Sequence, residues 1–306
     1  MQRISTVHSK PGRAGFSLIE LLMVIVIIAI IAGIAIPAIM TVMRRARQSE
    51  VGAEIARIET GIASFKGDFK IEPWSELMVT EDTSVTSWSA TPELTLSKTR
   101  LRRLFPQFTF SGKIDFNGDG AFTGDGSGSA TIVLTSSECL VFQLGGVMAS
   151  RDADGDGNIT QAELEAPPQM IGFSKNPLNP FSRAGSNRYA SYVKFDPGRL
   201  VDLDKDGMPE YLDSVPDQAT PYHFASSNNG QGYSKTQTIY VLADGKTPHQ
   251  KDSHQLISPG ADFNLGFDPA AGGRGIYVDG SELTGNRQYE FDNMANFTDM
   301  GVRMGD

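Results

Sequence analysis

Residues 21–43 form a run of 23 residues without a charged side chain, dominated by Ile, Leu, Val and Ala. As a helix such a run rises about 35 Å, enough to cross the hydrocarbon core of a bilayer. Beyond it the pattern becomes one-sided. Val51, Ile55, Ile58, Ile62, Phe65 and Phe69 recur at alternating steps of four and three, the spacing of one helical face. Glu50, Glu54, Arg57, Glu59 and Lys66 fall largely off that face on this reading, and Pro73 marks a stop. The pattern predicts a long helix in two parts: 16–43, apolar all round, and 44–72, amphipathic. Gly33 and Pro37 weaken the first part.

After Pro73 the helical period is lost. Residues 80–98, rich in Ser, Thr and acids, read as loop. Short runs at 108–110, 131–135, 192–195, 238–242 and 255–257 carry β-branched or aromatic residues. Gly, Pro and Asp clusters separate them, which predicts an antiparallel sheet with long loops. Residues 137–145 read as a short helix capped by Ser136 or Ser137, and 176–180 as a rigid Pro-containing connector. The expected fold class is α+β, with 73–306 as one elaborated head.

Charge sharpens this division. Residues 1–48 carry six Lys or Arg and one Glu, which leaves 21 basic and 35 acidic residues in the remainder. Phosphate binding needs clustered Lys and Arg, so a polyanionic head argues against a nucleic-acid partner and suits divalent cations. Cys139 is the only cysteine, so no intrachain disulfide is possible.

Before the apolar run stands Gly15-Phe16-Ser17-Leu18-Ile19-Glu20, preceded by a leader with Arg3, Lys10 and Arg13 and no acid. An ordinary secretory signal has a shorter apolar region followed by its cleavage site, whereas here the small residue comes first. The hexapeptide resembles the type IV prepilin signal, shared by type IV pilins and the pseudopilins of type II secretion. Charge alone does not orient the segment, since Arg44, Arg45 and Arg47 balance the leader.

The resemblance implies the rest. The leader, 1–15, lies in the cytoplasm, and a prepilin peptidase cleaves after Gly15 and methylates the new terminus at Phe16. Glu20 would pair with the Phe16 amine of a neighbouring subunit, because a carboxylate within a helix bundle is costly unless paired. The protein would be a single-pass component of the bacterial inner membrane, with its head in the periplasm or outside the cell. Its partners would be identical or related pseudopilin subunits, the peptidase and an inner-membrane assembly platform.

Three acid-rich loops suggest calcium as a structural cofactor. Residues 152–163 match the twelve-residue EF-hand loop, with Asp152, Asp154, Asp156, Asn158, Thr160 and Glu163 at ligand places and Gly157 at the sharp turn. Pro167 and Pro168 cut off the exiting helix. A second loop, 202–213, offers Asp202, Asp204, Asp206, Met208 through its carbonyl, Glu210 and Asp213. A third begins alike with Asp115, Asn117 and Asp119, but Gly126 stands at its twelfth place, where Asp125 is the substitute. The segment from Leu256 to Asp262, with Asp268 beyond, resembles the calcium loop of the major pseudopilin. That implies Ser258, Asp262 and Asp268 as ligands, although Phe263 stands where that loop usually has glycine.

Three function classes follow: a pseudopilus subunit of type II secretion, a surface type IV pilin, and a membrane-anchored enzyme. Major pilins usually carry a C-terminal disulfide loop, which one cysteine forbids. The enzyme reading is the weakest, because the sequence contains no His-Glu-x-x-His or Gly-x-Ser-x-Gly. His223, His249 and His254 are expected at the surface, and no catalytic residue is expected.

Overall fold

The computed structural model describes residues 17–82, 88–124, 130–152, 154, 156, 159–164, 166–234, 236–266, 276–278, 289 and 292–297. Gly15, Phe16, Asn158, Gly157, Asp125, Gly126 and Asp268 lie outside the described residues.

Helix α1 (Leu18–Phe69) covers the apolar run and the amphipathic stripe. The chain divides into two compact units at Ala46 and Arg47. In the first, the large apolar side chains from Leu18 to Met43 are exposed, as with Leu18 at 81% and Ile34 at 73%. Pro37 lies within the helix without ending it, and Thr41 Oγ1 donates to the Pro37 carbonyl at 3.0 Å.

In the second unit α1 buries Val51, Glu54, Ile55, Ile58, Gly61, Ile62 and Phe65. Glu54 therefore lies on the buried face, contrary to expectation. Its carboxylate accepts from Arg57 (2.7 Å), Arg199 Nη1 (2.6 Å), Tyr211 (2.7 Å) and Tyr222 (3.0 Å). A buried charge is tolerated when it is paired and hydrogen-bonded. Gly61 permits a close approach to this face, since a Cβ there would meet Val193 Cγ2 at 2.3 Å.

Strand β1 (Leu77–Thr80) pairs antiparallel with β2 (Thr131–Leu134), Leu77 opposite Leu134. Helix α2 (Pro92–Leu104) replaces much of the loop expected over 80–98. Thr91 caps it, its hydroxyl accepting from Leu94 N at 3.2 Å, and Pro92 follows in the first turn, where a missing N–H costs nothing. Leu94, Ser97, Leu101 and Leu104 form its buried face. Helix α3 (Ser136–Gly145) matches expectation except for its cap. Thr135, not Ser136 or Ser137, closes a capping box with Glu138.

After a one-turn helix, α4 (Gln161–Leu164), strands β3 (Leu200–Val201) and β4 (Glu210–Tyr211) pair as a hairpin around the loop 202–209. Strand β5 (His223–Ser226) pairs antiparallel with β7 (His254–Ser258), which also pairs with β9 (Met294–Ala295). Strand β6 (Ile239–Val241) pairs parallel with β8 (Ile276–Val278), a correction to the wholly antiparallel expectation. Several small sheets thus stand in place of one.

The runs 108–110 and 192–195 are not strands. Phe108, Phe110, Val193 and Phe195 are core side chains instead. Phe108 and Phe110 join Phe105, Phe116, Phe142, Phe173 and Phe181 in an aromatic cluster, with Phe116 and Phe181 edge to face at 5.0 Å.

A candidate metal centre and an exposed apolar helix

The hairpin β3–β4 presents its acids toward the start of α3. Tyr211 N donates to Ser137 Oγ at 3.0 Å, which docks β4 on the first turn of that helix. One carboxylate oxygen each from Asp202, Asp204 and Asp206 lies within 4.8 Å of the others. A second group, Glu138, Asp204 and Glu210, meets the same condition and shares Asp204. Within the loop Gly207 N donates to Asp202 (3.1 Å), Asp206 N to Asp204 (3.3 Å), Met208 N to Asp206 (2.8 Å) and Leu203 N to Glu210 (3.0 Å). Lys205 and Gly207 take positive φ, 65° and 89°, to make the turn.

Electrostatics at this place are unfavourable without a cation. Burial, then Asp206 and Glu210, push Glu138 well above the usual carboxylate range. Burial also raises Glu210 and Asp202, and lifts Asp206 to about 7. Like charges in a desolvated group hold protons until a cation replaces them. Two oxygens, Glu138 Oε1 and Asp202 Oδ1, are buried and lack a hydrogen-bond partner. The donor set, carboxylates only, fits a hard cation such as calcium.

Asp213, the expected closing ligand, is engaged elsewhere. It is fully buried and accepts from Val215 N (2.9 Å), Gln218 Nε2 (3.0 Å) and the Ser258 hydroxyl. The structure brings Glu138, from a distant part of the sequence, to the group in its stead. Met208 is a core side chain.

In the 152–163 loop Asp152, Asp154 and Glu163 come within 4.8 Å of one another. Asp156 lies in the loop outside that triplet, its N–H donating to Asp154 Oδ1 at 3.1 Å. Thr160 is held by Glu163, which accepts from its N–H at 2.8 Å and its hydroxyl at 2.9 Å.

The third loop is held by protein groups. Asp115 accepts from Gly118 N (2.6 Å) and Gly120 N (3.2 Å) and forms an ion pair with Arg183 at 3.2 Å. Buried Glu81 accepts from Phe116 N (2.7 Å) and Gly124 N (2.9 Å), and burial pushes it up to about 7. Asn117 Nδ2 donates to Asp119 at 3.3 Å. Among the described residues these acids form no metal-binding group of three. The sequence reading missed Glu81, Arg183 and Glu138, each of which reaches its loop from another segment.

The three loops meet. Asn117 Nδ2 donates to the Asp206 carbonyl at 3.4 Å, and a Cβ on Gly207 would meet Asn117 at 2.7 Å. Arg151, at the head of the 152–163 loop, donates to the Gly207 carbonyl at 3.1 Å, and its own N–H reaches the Gly118 carbonyl.

Of the expected C-terminal ligands, Ser258 and Asp262 are among the described residues. Ser258 is buried against Asp213, whereas Asp262 is exposed, its Oδ1 accepting from Asn264 N at 2.9 Å. Asp292 Oδ2 accepts from the N–H groups of Ala261 (2.5 Å) and Asp262 (3.0 Å).

Two histidines also differ from expectation. His223 and His254 are buried, because each has acceptors that replace water: the Thr238 carbonyl for His223, and Glu59 and Ser253 for His254. At the other end of the chain Glu20 accepts from Ser17 N at 2.9 Å in the first turn of α1 and is exposed.

Residues 10–36 match the prokaryotic N-terminal methylation motif. No curated protein and no solved structure matches the chain significantly. The motif is the type IV pilin-like signal, carried by pilins and pseudopilins. It spans Gly15, Phe16 and Glu20 and points to a structural subunit, processed by a prepilin peptidase and assembled into filaments with related subunits. With the apolar half of α1 it is consistent with a membrane-anchored, single-pass protein.

Proposed function

We propose that this chain is a structural subunit of a type II secretion pseudopilus, anchored in the inner membrane and cleaved between Gly15 and Phe16. The observation that carries the reading is the exposed apolar stretch of α1, Leu18 to Met43, which the methylation motif overlaps. An 18-residue window of that helix has a mean hydropathy of 3.1 and none of it is buried. Such a surface needs lipid before assembly and neighbouring helices after it. Glu20 then pairs with the methylated Phe16 amine of the adjacent subunit and sets the register. Calcium bound at the acidic loops braces the head in place of disulfides.

The buried, free Cys139 favours the pseudopilus over a surface pilus, whose major subunits usually close a C-terminal loop with a disulfide. A surface type IV pilin is the second reading. Glu20→Ala in the native host tests the assembly role. The expected result is normal cleavage, read by mass of the mature N-terminus, with loss of filaments and of secretion. Intact filaments would refute the pairing. Lost surface motility with secretion unaffected would select the pilus.

A further inference from the structure

We propose that Glu138 is a calcium ligand, completing a site with Asp204 and Glu210 of the β3–β4 hairpin and with Asp202 and Asp206 beside them. The inference rests on the calcium reading above and adds a ligand from outside the acidic loop.

Three observations converge on Glu138. Its carboxylate lies within 4.8 Å of those of Asp204 and Glu210. Its side chain is fully buried, with Oε2 accepting from Thr135 N at 2.7 Å and Oε1 without a hydrogen-bond partner. A desolvated carboxylate oxygen with no partner is costly, and a bound cation removes that cost. Third, the loop lacks its own closing ligand, because Asp213 is turned to Ser258, Gln218 and Val215. Asp202 Oδ1 is a second buried oxygen without a hydrogen-bond partner, in the neighbouring group that shares Asp204.

The surroundings agree with a cation site. A cavity of about 740 Å³ is lined by Ser136, Ser137, Leu203, Asp204 and Glu210 among others. It opens beside Asp204 and Glu210 and leaves room there for waters, which calcium needs to reach six to eight oxygen ligands. Calcium here would staple the first turn of α3 to a hairpin far along the chain.

The test is calorimetric titration of calcium chloride into the detergent-solubilised full chain. An Asp152→Asn background silences the other loop. Glu138→Gln removes the charge while keeping the capping box, since Gln serves at that place. Affinity depends on ligand charge count, so Glu138→Gln is expected to weaken calcium by about tenfold or more. Its calcium-free melting temperature should stay at or above that of the background, which verifies folding. Glu138→Asp keeps the charge but shortens the reach and should also weaken the ion. Unchanged affinity in whichever of these variants folds, with Asp204→Asn abolishing binding, would overturn the role of Glu138 alone. Calcium binding by the wild type but not by the background would overturn the hairpin site and leave the 152–163 loop. No calcium binding by the wild type would overturn both.

Discussion

His254 is 3% exposed, yet both ring nitrogens face acceptors. Nε2 lies 2.7 Å from Glu59 of α1, and Nδ1 lies 3.0 Å from Ser253 Oγ, whose hydroxyl donates to Glu72. Only the imidazolium donates from both nitrogens. Burial opposes the charge, but Glu59 and Glu72 outweigh it and raise the His254 pKa to about 9. The unfolded value is near 6.5, so the folded state binds the extra proton between the two. The stabilisation is full below about pH 6.5 and is lost as pH rises toward 9. The melting temperature should therefore fall across that window, with His254 contributing alongside the buried carboxylates that also hold protons above their usual range, Glu138 chief among them. In His254→Gln the fall should be shallower than in the wild type; a melting profile with the wild-type slope would exclude the His254 contribution. None of it was legible in the sequence, where Glu59, His254 and Glu72 are three unrelated polar positions. Glu54 makes the same point: the apolar spacing sets it off the stripe, and its burial rests on partners that no local pattern names, Arg199, Tyr211 and Tyr222.

At the scale of elements, local signals were reliable where local interactions decide. The stripe of α1 and the body of α3 follow from periodicity and capping. Helix α2 carries an equally local signal, Thr91-Pro92-Glu93 before Leu94, hidden by the polar composition of 80–98. Its cap is a test of that signal. Thr91→Ala should cost about 1 kcal/mol, read as a lower urea midpoint with unchanged slope. A midpoint equal to wild type would mean that the packing of Leu94, Leu101 and Leu104 alone holds the helix. The runs 108–110 and 192–195 read as strands because aromatic and β-branched residues suit both a pleated sheet and a core. Which one they join depends on whether a partner backbone is available, and no short segment encodes its partner. The parallel pairing of β6 with β8 is hidden for the same reason.

For the whole molecule, the net charge of −9 understates the head, since residues 1–48 are net basic, and three of its acidic loops meet. A cation that binds only the folded head stabilises it by mass action, about 2.7 kcal/mol at a hundred times the dissociation constant. Excess EDTA should therefore lower the melting temperature of the detergent-solubilised chain, and calcium should restore it. Identical melting curves with and without chelator would sink the calcium clamp. By itself the sequence determined the membrane-length apolar run, the methylation motif with Glu20, the amphipathic stripe, and the acidic spacing at 152–163 and 202–210. Each is a pattern within about one helix or loop, where neighbouring residues fix the geometry. The tertiary structure alone decided that Glu138 stands against Asp204 and Glu210, that Asp213 turns to Ser258, and that Arg183 and Glu81 hold the third loop. These outcomes depend on which distant backbones pack together. That follows from burying the shared core, and no local spacing records it.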